Sequence, residues 1–274
     1  MTEILTEDRQ EKYERLKAYI RELGSLAVGF SGGVDSSLLI FAAHEALGDK
    51  VIAVTAVDAS MPERELEEAK SFCRKYNVEH IICNVYPLKE DGYRNNGPDR
   101  CYFCKYGIYT EIRKIAEEYG IQYMAEGSNT DDAGDYRPGL KAAAELSVKC
   151  PLREAGLNKA DIRAISKALG LPTWNKPAYA CLASRFVYGE EITEEKLKMI
   201  DQAEQFLIEL GFAEERVRIH GNIARIEVPA KDIPRLAGDE IRRAVYERFK
   251  EIGFLFVTLD MYGYRLGSMN ATLK

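Results

Sequence analysis

Three cysteines stand where a thiolate could do chemistry. Cys101 and Cys104 form a C-x-x-C pair in the stretch RCYFCK, and Cys181 lies in the stretch PAYACLASR. A C-x-x-C pair is typical of a redox-active disulfide, of a zinc site or of an iron–sulfur cluster. The other three cysteines have apolar or structural contexts, which predict core positions: Cys73, Cys83 and Cys150. The residues alone leave the use of the pair open.

A second reactive stretch, AVGFSGGVDSS, places glycines and hydroxyls between a predicted strand and a predicted helix. Glycine lets the backbone approach an anion closely, and the amides at a helix N-terminus point toward that anion. The stretch therefore predicts a phosphate-binding loop, in which Asp35 could hold Mg²⁺ against the phosphates. It is neither a Walker A loop nor the dinucleotide fingerprint. The predicted loop residues are Ser31, Gly32, Gly33, Asp35, Ser36 and Ser37.

The stretch SGGVDSS resembles the S-G-G-x-D-S/T motif of the ATP pyrophosphatases, the PP-loop superfamily. This resemblance implies that ATP binds at the loop. It also implies that a substrate attacks the α-phosphorus, which releases pyrophosphate and leaves the substrate adenylated. Ligands of parallel α/β folds lie at the carboxyl ends of strands, so we expect Thr55 and Gly127 to border the adenine. For Thr55 the role of an ordinary strand residue stays open.

Around these residues, the first part of the chain alternates short apolar runs with amphipathic stretches. The apolar runs are SLAVGF, KVIAVTAV, VEHIICNV and IQYMAEG, and helical stretches such as ERELEEAKSFCRKY and GIYTEIRKIAEEYG separate them. This alternation predicts an α/β fold with a parallel sheet covered by helices on both faces. After about residue 186, longer helical stretches and short strands predict a small α+β domain, and one of these helices is IPRLAGDEIRRAVYERFKEIG, from Ile233 to Gly253. We therefore expect a PP-loop domain over residues 1–185 and an α+β domain over residues 186–274.

Several further blocks resemble one PP-loop family, the LarE sulfur transferases. They are GSNTDDAGDYRPGLKAAAE, the block from PLREAGLNK to CLASRF, RIHGNIARIEVP and GYRLGSMN, and the resemblance covers residues 12–270. It implies an enzyme that uses ATP to adenylate a carboxylate of pyridinium-3,5-dicarboxylate mononucleotide and converts it to a thiocarboxylate, in nickel-pincer nucleotide biosynthesis. The implied partners are this small nucleotide substrate and sulfide or another sulfur donor. The resemblance also implies a homo-oligomer.

A substrate that carries carboxylates and a phosphate needs fixed cations, and the planar guanidinium of arginine suits both groups. Arg216 and Arg218 alternate in a predicted strand and therefore share one face. Arg185 is the leading candidate, because it lies four residues after Cys181 in a short predicted loop. For each arginine, a solvated or ion-paired surface role stays open. The full set of candidates is Arg100, Arg137, Arg185, Arg216 and Arg218, with Ser184 as a neutral donor.

The resemblance also bears on the thiols. In one branch of the LarE family, the single cysteine that corresponds to Cys181 gives up its own sulfur and becomes dehydroalanine. The branch that also carries the upstream C-x-x-C builds a [4Fe–4S] cluster on three thiolates, and this chain matches that branch. A fully ligated cluster uses four cysteines, so three ligands leave one iron open for an exogenous sulfide. We expect such a cluster on Cys101, Cys104 and Cys181, with Arg100 and Lys105 offsetting its charge.

The alternatives for the thiols are zinc held by three thiolates, a redox disulfide, and sacrifice of Cys181 beside an idle pair. Three rival functions also stay open. They are a PP-loop tRNA thiolase, an ATP-dependent amidase of the NAD synthetase type, and a non-enzymatic ATP sensor that uses the cluster as a redox switch.

Composition limits the class of partner. The 274 residues include 38 Lys and Arg against 44 Asp and Glu, which gives a formal net charge of −6. This balance counts against a broad nucleic-acid surface, which needs clustered positive charge. The chain has no run of about 18 apolar residues, so we expect no membrane span. The charged N-terminal stretch lacks the apolar core of a signal peptide, which predicts a cytoplasmic protein.

Overall fold

The computed structural model describes residues 5–134, 138–177, 180–265 and 267–269. The chain divides into two compact units. The first is Met1–Pro87 with Cys101–Tyr179, and the second is Leu88–Arg100 with Ala180–Lys274. Residues 88–100 therefore belong to the second unit, although most of that unit follows much later in the sequence. The predicted domain boundary between residues 185 and 186 stays a prediction.

Within the described residues, the first unit has four strands and the second has three. They are β1 (Leu26–Gly29), β2 (Val51–Val57), β3 (Glu79–Asn84), β4 (Tyr123–Ala125), β5 (Arg216–His220), β6 (Ile223–Glu227) and β7 (Phe256–Leu259). The strands of the first unit form one parallel sheet in the order β3-β2-β1-β4. The predicted α/β fold class is confirmed.

The described α-helices lie before and between these strands in the chain. They are α1 (Glu7–Leu23), α2 (Val34–Leu47), α3 (Glu63–Tyr76), α4 (Asp91–Arg94), α5 (Arg100–Glu118), α6 (Pro138–Glu145), α7 (Pro151–Glu154), α8 (Lys159–Ala168), α9 (Glu194–Glu209), α10 (Ile233–Ala237) and α11 (Asp239–Ile252). None of these helices combines the length and the apolar composition that a membrane crossing requires.

Two helices differ from the sequence prediction. The helix predicted to start at Gly107 begins at Arg100, because the residues between them contain no proline and continue its apolar face. The C-x-x-C pair is therefore helical. The single helix predicted from Ile233 to Gly253 is instead divided at Gly238, whose extended backbone (φ −60°, ψ 145°) is the N-cap of α11.

The parallel sheet is covered on both faces, because alternate residues of a strand point to opposite sides. Val51 and Ala53 of β2 belong to a core that α1, α2 and α8 share. Ile52 and Val54 belong to a second core, which includes Tyr109 of α5 and residues of α6. Buried apolar side chains thus hold the strands in place from both sides. The loops at the carboxyl ends of these strands start from fixed positions.

The second unit is built on a small mixed sheet. Strand β6 is central and pairs antiparallel with β5 and parallel with β7. Helix α9 packs against β5, and α11 packs against both α9 and β7. This is the α+β arrangement that the sequence predicts for the C-terminal part. Arg216 and Arg218 are buried residues of β5.

Candidate active site

The predicted phosphate-binding loop, residues 31–37, runs from just after β1 into the first turn of α2, and we call it the ATP loop. Gly32 has a φ of +69°, a conformation that a larger residue adopts only with strain, and Gly33 is the N-cap of α2. Ser31 Oγ lies 3.1 Å from Ser36 Oγ, and Ser36 Oγ donates to Gly33 O at 3.2 Å. Amides and hydroxyls are therefore gathered at the N-terminus of a long helix. This arrangement suits a phosphate group.

The chain after β4 presses against this loop. A Cβ atom added to Gly127 would lie 3.0 Å from Ser36 N and 3.2 Å from Asp35 Cβ. Real Cβ atoms rarely come so close to a backbone nitrogen, so the approach depends on glycine. Gly127 thus borders the loop. Its contact with adenine stays a prediction.

Asp35 lies in the first turn of α2, where two side chains donate to its carboxylate. Lys159 Nζ contacts one oxygen, and Asn129 Nδ2 lies 3.4 Å from the other. Lys159 is the first residue of α8, and its backbone amide donates to Asp131 Oδ2 at 2.9 Å. Asn129 Oδ1 accepts from the amide of Asp131 at 2.9 Å. The loop after β4 and the start of α8 therefore fix the Asp35 carboxylate together.

Thr55 joins β2 to the residue that precedes the loop. Its buried hydroxyl donates to Phe30 O at 2.8 Å and lies 2.8 Å from His80 Nε2. Burial lowers the pKa of His80. Because the single Thr55 proton goes to Phe30 O, the neutral imidazole donates its Nε2 proton to the hydroxyl. These contacts are structural, and a contact of Thr55 with adenine stays a prediction.

A partly buried ion pair involves Glu126, the residue that precedes Gly127. Lys105 Nζ is 2.7 Å from Glu126 Oε2, and the Tyr109 hydroxyl donates to the same oxygen at 2.5 Å. Burial by itself raises the pKa of Glu126, but the Lys105 charge and the hydrogen bonds outweigh it and bring the pKa to about 2. Lys105, which we expected to offset charge on the thiolates, is thus paired with a carboxylate.

The cysteines differ in exposure. Cys101 and Cys181 are exposed and Cys104 is partly exposed. Cys101 and Cys104 lie three residues apart in the first turn of α5, so their side chains are neighbours on the helix surface. Burial raises the pKa of the other three thiols, Cys73, Cys83 and Cys150. Solvent therefore reaches Cys101 and Cys181 directly, whereas these three thiols resist deprotonation.

In the second unit, Cys181 precedes a 3₁₀ turn, Leu182–Arg185, that a buried ion pair holds. Arg185 and Glu204 have fully buried side chains, and Arg185 Nε and Nη2 each donate to a Glu204 oxygen at 2.9 Å. Arg185 Nη1 donates to Ala180 O at 2.7 Å and to Cys181 O at 3.3 Å. Burial by itself raises the pKa of Glu204, but Arg185 outweighs it, and the pKa lies below its ordinary value.

The arginines of β5 are also enclosed. Arg218 Nε donates to Glu227 Oε2 at 3.0 Å, and Arg218 Nη1 donates to Ser184 O at 3.1 Å. The guanidinium carbon of Arg216 lies 5.0 Å from the centre of the Tyr264 ring. The Ser184 hydroxyl is 2.9 Å from the guanidinium that is paired with Glu204. Two of the predicted substrate arginines therefore pair with glutamates of the same unit.

Arg100 belongs to the second unit as well. Its Nη1 donates to Asn96 Oδ1 at 2.6 Å and to Ala183 O at 2.8 Å. Arg100, Arg185 and Arg218 thus all donate to residues 180–184, the stretch that carries Cys181. The prediction for Arg137 lies outside the described residues.

Comparison with known proteins shows relatives that match this chain along almost their whole length. The pyridinium-3,5-bisthiocarboxylic acid mononucleotide synthase of Lactiplantibacillus plantarum is 37% identical over 96% of this chain and 95% of its own. The chain belongs to the LarE family. An uncharacterized protein of Synechocystis sp. is 40% identical over 96% of this chain and 98% of its own. The family described as "Queuosine biosynthesis protein QueC" matches residues 25–94, which include the loop. This LarE-family chain is therefore a PP-loop enzyme that uses ATP.

The sequence predicts two inorganic groups, Mg²⁺ at the ATP loop and a [4Fe–4S] cluster on the three cysteines. No set of three or more His, Cys, Asp or Glu side chains is arranged as a metal site within the described ranges. The donor chemistry nevertheless fits. Asp35 offers a carboxylate, and Mg²⁺ in nucleotide sites is commonly held by one or two carboxylates with the phosphates. Cys101 and Cys104 offer two neighbouring thiolates, the ligands of iron–sulfur clusters.

Several residues that shape these regions of the LarE-family chain were not predicted. Lys159 and Asn129 gave no signal, because their contacts with the loop join distant parts of the chain. The sequence does contain a signal for Glu204. It lies between Ile200 and Leu207 on the apolar face of α9, and a carboxylate at such a position predicts a buried cationic partner.

Proposed function

We propose that this protein activates a carboxylate of pyridinium-3,5-dicarboxylate mononucleotide with ATP and converts it to a thiocarboxylate. The observation that carries the proposal is the 37% sequence identity with the Lactiplantibacillus plantarum synthase along almost the whole of both chains. The geometry of the loop supports the first half of the reaction. The exposed thiols support the second half.

Adenylation requires a site for the phosphates of ATP. In the proposed step a carboxylate oxygen attacks the α-phosphorus, the bond to the bridging β-phosphate oxygen breaks, and pyrophosphate leaves. The loop amides and the Ser31 and Ser36 hydroxyls would donate to the phosphate oxygens as charge develops. Asp35 would hold Mg²⁺, which neutralises phosphate charge when it is bound. Asp35 would then release the Lys159 ammonium, which could turn to a phosphate oxygen.

We propose that the substrate binds to arginines and to one serine that the sequence predicts. We retain Arg216, Arg218 and Ser184 as proposed contacts with the carboxylates and the phosphate of the substrate, and Arg137 also stays a prediction. For Arg185 we propose a positioning role, because its guanidinium donates to Glu204 and to the backbone at Cys181. Arg100 has a similar place, since it donates to Ala183 O.

Sulfur transfer requires a nucleophile for the acyl-adenylate. Sulfur attacks the carbonyl carbon, the bond from that carbon to the phosphate oxygen breaks, and AMP leaves. Cys101, Cys104 and Cys181 would hold a [4Fe–4S] cluster, which supplies a binding site for exogenous sulfide when it is present. A second candidate is sacrificial transfer from Cys181, and the exposure of that thiol favours it. In that case the Cys181 C–S bond breaks with loss of the Cα proton, and dehydroalanine remains.

The test is an anaerobic reaction of the full chain with ATP, Mg²⁺, the dicarboxylate mononucleotide and sulfide. We expect equal amounts of AMP and pyrophosphate, a product in which sulfur replaces oxygen, and about four irons and four labile sulfides per chain. Cys104→Ala should lose the iron and repeated sulfur transfer but keep pyrophosphate release. Cys83→Ala, at a cysteine outside the proposed site, is the matched control.

Three outcomes would contradict parts of this proposal. Repeated turnover by Cys104→Ala would exclude the cluster. One product per chain, with loss of H₂S from Cys181 in the protein mass, would favour the sacrificial route. If no pyrophosphate appears with the dicarboxylate mononucleotide but another acceptor elicits it, the substrate assignment is wrong.

A further inference from the structure

One lysine outside the proposed reaction reaches the ATP loop. The Lys176 ammonium lies 3.2 Å from Gly32 O, 2.8 Å from Glu65 Oε2 and 2.6 Å from Glu68 Oε2. Its side chain is 13% exposed. An ammonium has three donor positions, and these three acceptors match them. Lys176 is therefore a fixed part of the loop's surroundings.

The contact with Gly32 O determines where the next amide points. That carbonyl shares a peptide bond with the Gly33 N–H, and in a trans peptide the two groups point in opposite directions. A carbonyl held toward Lys176 therefore aims the Gly33 N–H away from Lys176. On that side the amide meets Ser31 Oγ at 3.4 Å, which is long for a hydrogen bond. A phosphate oxygen could replace this weak acceptor.

A peptide between two glycines turns over easily, because neither residue has a Cβ atom to oppose the rotation. A turned peptide would present the Gly32 carbonyl oxygen where the Gly33 amide now points, and that oxygen repels a phosphate. The loop also lies against α3, since a Cβ atom on Gly32 would be 3.4 Å from Ala69 Cβ. Helix α3 carries Glu65 and Glu68. The cation that orients the peptide and the acids that hold the cation are thus in one compact group.

We propose that Lys176 is a positioning residue for ATP, which fixes the Gly32–Gly33 peptide so that the Gly33 amide faces the phosphates. Glu65 and Glu68 hold the ammonium in place. Arg163 of α8 holds the backbone that carries it, because its guanidinium donates to Trp174 O and to Lys176 O at 2.8 Å each. The inference rests on the proposed function only in taking ATP as the ligand of the loop.

The test is calorimetric titration of the full chain with ATP and Mg²⁺. Lys176→Met should raise the Kd for ATP about tenfold, because it removes a charge-assisted hydrogen bond that orients the amide. Lys176→Arg should stay within about threefold of the wild type, since a guanidinium can still donate to the carbonyl. The Kd for the mononucleotide substrate should not change. Lys114→Met is the matched control, because Lys114 also pairs with a glutamate, Glu111, but on the surface of α5.

A double variant separates the carbonyl contact from the ion pairs. Glu65→Gln with Glu68→Gln keeps amide oxygens that accept from the ammonium, so Lys176 stays beside Gly32 O and the Kd for ATP should stay within about threefold of the wild type. A loss as large as that of Lys176→Met would overturn the inference, because α3 packing would then explain it. If Lys176→Met does not fold, Lys176→Arg and the double variant test the inference instead. A tenfold rise of the Kd for ATP in both of these variants would overturn it.

Two readouts distinguish positioning from general stability. In Lys176→Met without nucleotide, hydrogen exchange of the Gly33 amide should quicken by a larger factor than exchange of the amides in β1 and β2, which report general stability. If Lys176→Met binds ATP as tightly as the wild type, the inference is wrong and the proposed function stands. If the wild type does not bind ATP at all, the proposed function fails first.

Discussion

The ATP loop and the loop around Cys181, to which Arg100, Arg185 and Arg218 donate, differ in how their hydrogen-bond donors are paired. Between Ser31 and Ser36 the donors are backbone amides and hydroxyls, and they come from one short segment. In the second unit the donors are guanidiniums, and buried glutamates from other elements pair with them. Arg185 meets Glu204, and Arg218 meets Glu227. The amides and hydroxyls of the first region suit an external anion, whereas two guanidiniums of the second region are already paired with carboxylates of the protein.

This difference separates binding from stability. Amides and hydroxyls at a helix N-terminus tolerate the absence of their ligand, so changes there should act mainly on ATP affinity. A buried guanidinium tolerates the loss of its carboxylate poorly, because the remaining charge has no compensation. Changes that break the ion pairs of the second region should therefore act first on folding.

The largest effect is expected from Glu204→Gln. It leaves the fully buried Arg185 without its counter-charge, and we expect the free energy of unfolding to fall by about 3–5 kcal/mol. Denaturant unfolding followed by fluorescence measures this change. The double variant Arg185→Met with Glu204→Leu should recover most of the loss, since apolar residues of similar volume replace the pair. A loss below about 1 kcal/mol in Glu204→Gln would contradict the comparison.

The second prediction concerns the loop. Gly127→Ala places a methyl group 3.0 Å from Ser36 N, so the strand end or the loop must shift. We expect the Kd for ATP to rise about tenfold or more, and the free energy of unfolding to fall by about 1–3 kcal/mol. Gly107→Ala is the control, because no atom lies within 4 Å of its added Cβ. Equal ATP affinity in both variants would show that Gly127 does not shape the site.

These two regions also show what could be predicted from the sequence. The loop was predictable because its glycines, serines and aspartate lie within seven consecutive positions, between a strand and a helix with clear apolar patterns. The partners that complete it were not. Lys159 lies 124 residues from Asp35, and Lys176 lies 144 residues from Gly32. Tertiary packing alone creates such contacts, so neither periodicity nor spacing reveals them.

The arginines illustrate the same limit in another form. Arg185 was singled out from its distance to Cys181, and the structure places it at that loop. Its partner Glu204 lies 19 residues away, on another helix. The sequence could show that a cation stands near Cys181 and that Glu204 needs a cationic partner, but not that these two residues pair. The start of α5 at Arg100 was missed because the cysteine pair suggested a separate motif where the helix simply continues.

The third prediction uses pH. The pKa of Glu126 is about 2 in the folded protein and 4.5 is its ordinary value, so the folded state binds its proton only at lower pH. Its contribution to stability is present above about pH 4.5 and is lost as the pH falls toward 2. Between pH 5 and pH 3 we expect Glu126 to account for a loss of about 1–2 kcal/mol in the free energy of unfolding.

Glu126→Gln should remove this part of the acid dependence, because glutamine does not titrate. The measurement is denaturant unfolding at several pH values in that range. Glu117→Gln, at an exposed glutamate of α5, should keep the wild-type slope. If Glu126→Gln also kept the wild-type slope, the partly buried Lys105–Glu126 pair would not hold the carboxylate ionised.

The smallest effect is expected from Ser37→Ala, which should stabilise the protein but weaken ATP binding. Ser37 is fully buried, and its hydroxyl has no hydrogen-bond partner within the part of the chain that the structure describes. Ser37→Ala removes this unsatisfied group, so the free energy of unfolding should rise by up to about 1 kcal/mol. If the hydroxyl binds a phosphate oxygen, as the sequence predicts, the Kd for ATP should rise about three- to tenfold in the same variant.

Ser166 provides the matched control for this last prediction. It is also fully buried with an unpartnered hydroxyl in the described structure, but it lies in the last turns of α8. Ser166→Ala should gain stability without any change in ATP binding. If Ser37→Ala and Ser166→Ala bind ATP equally well, Ser37 is not a phosphate ligand. A gain in stability together with a loss of affinity at Ser37 alone would show that the loop keeps a costly buried donor because ATP satisfies it.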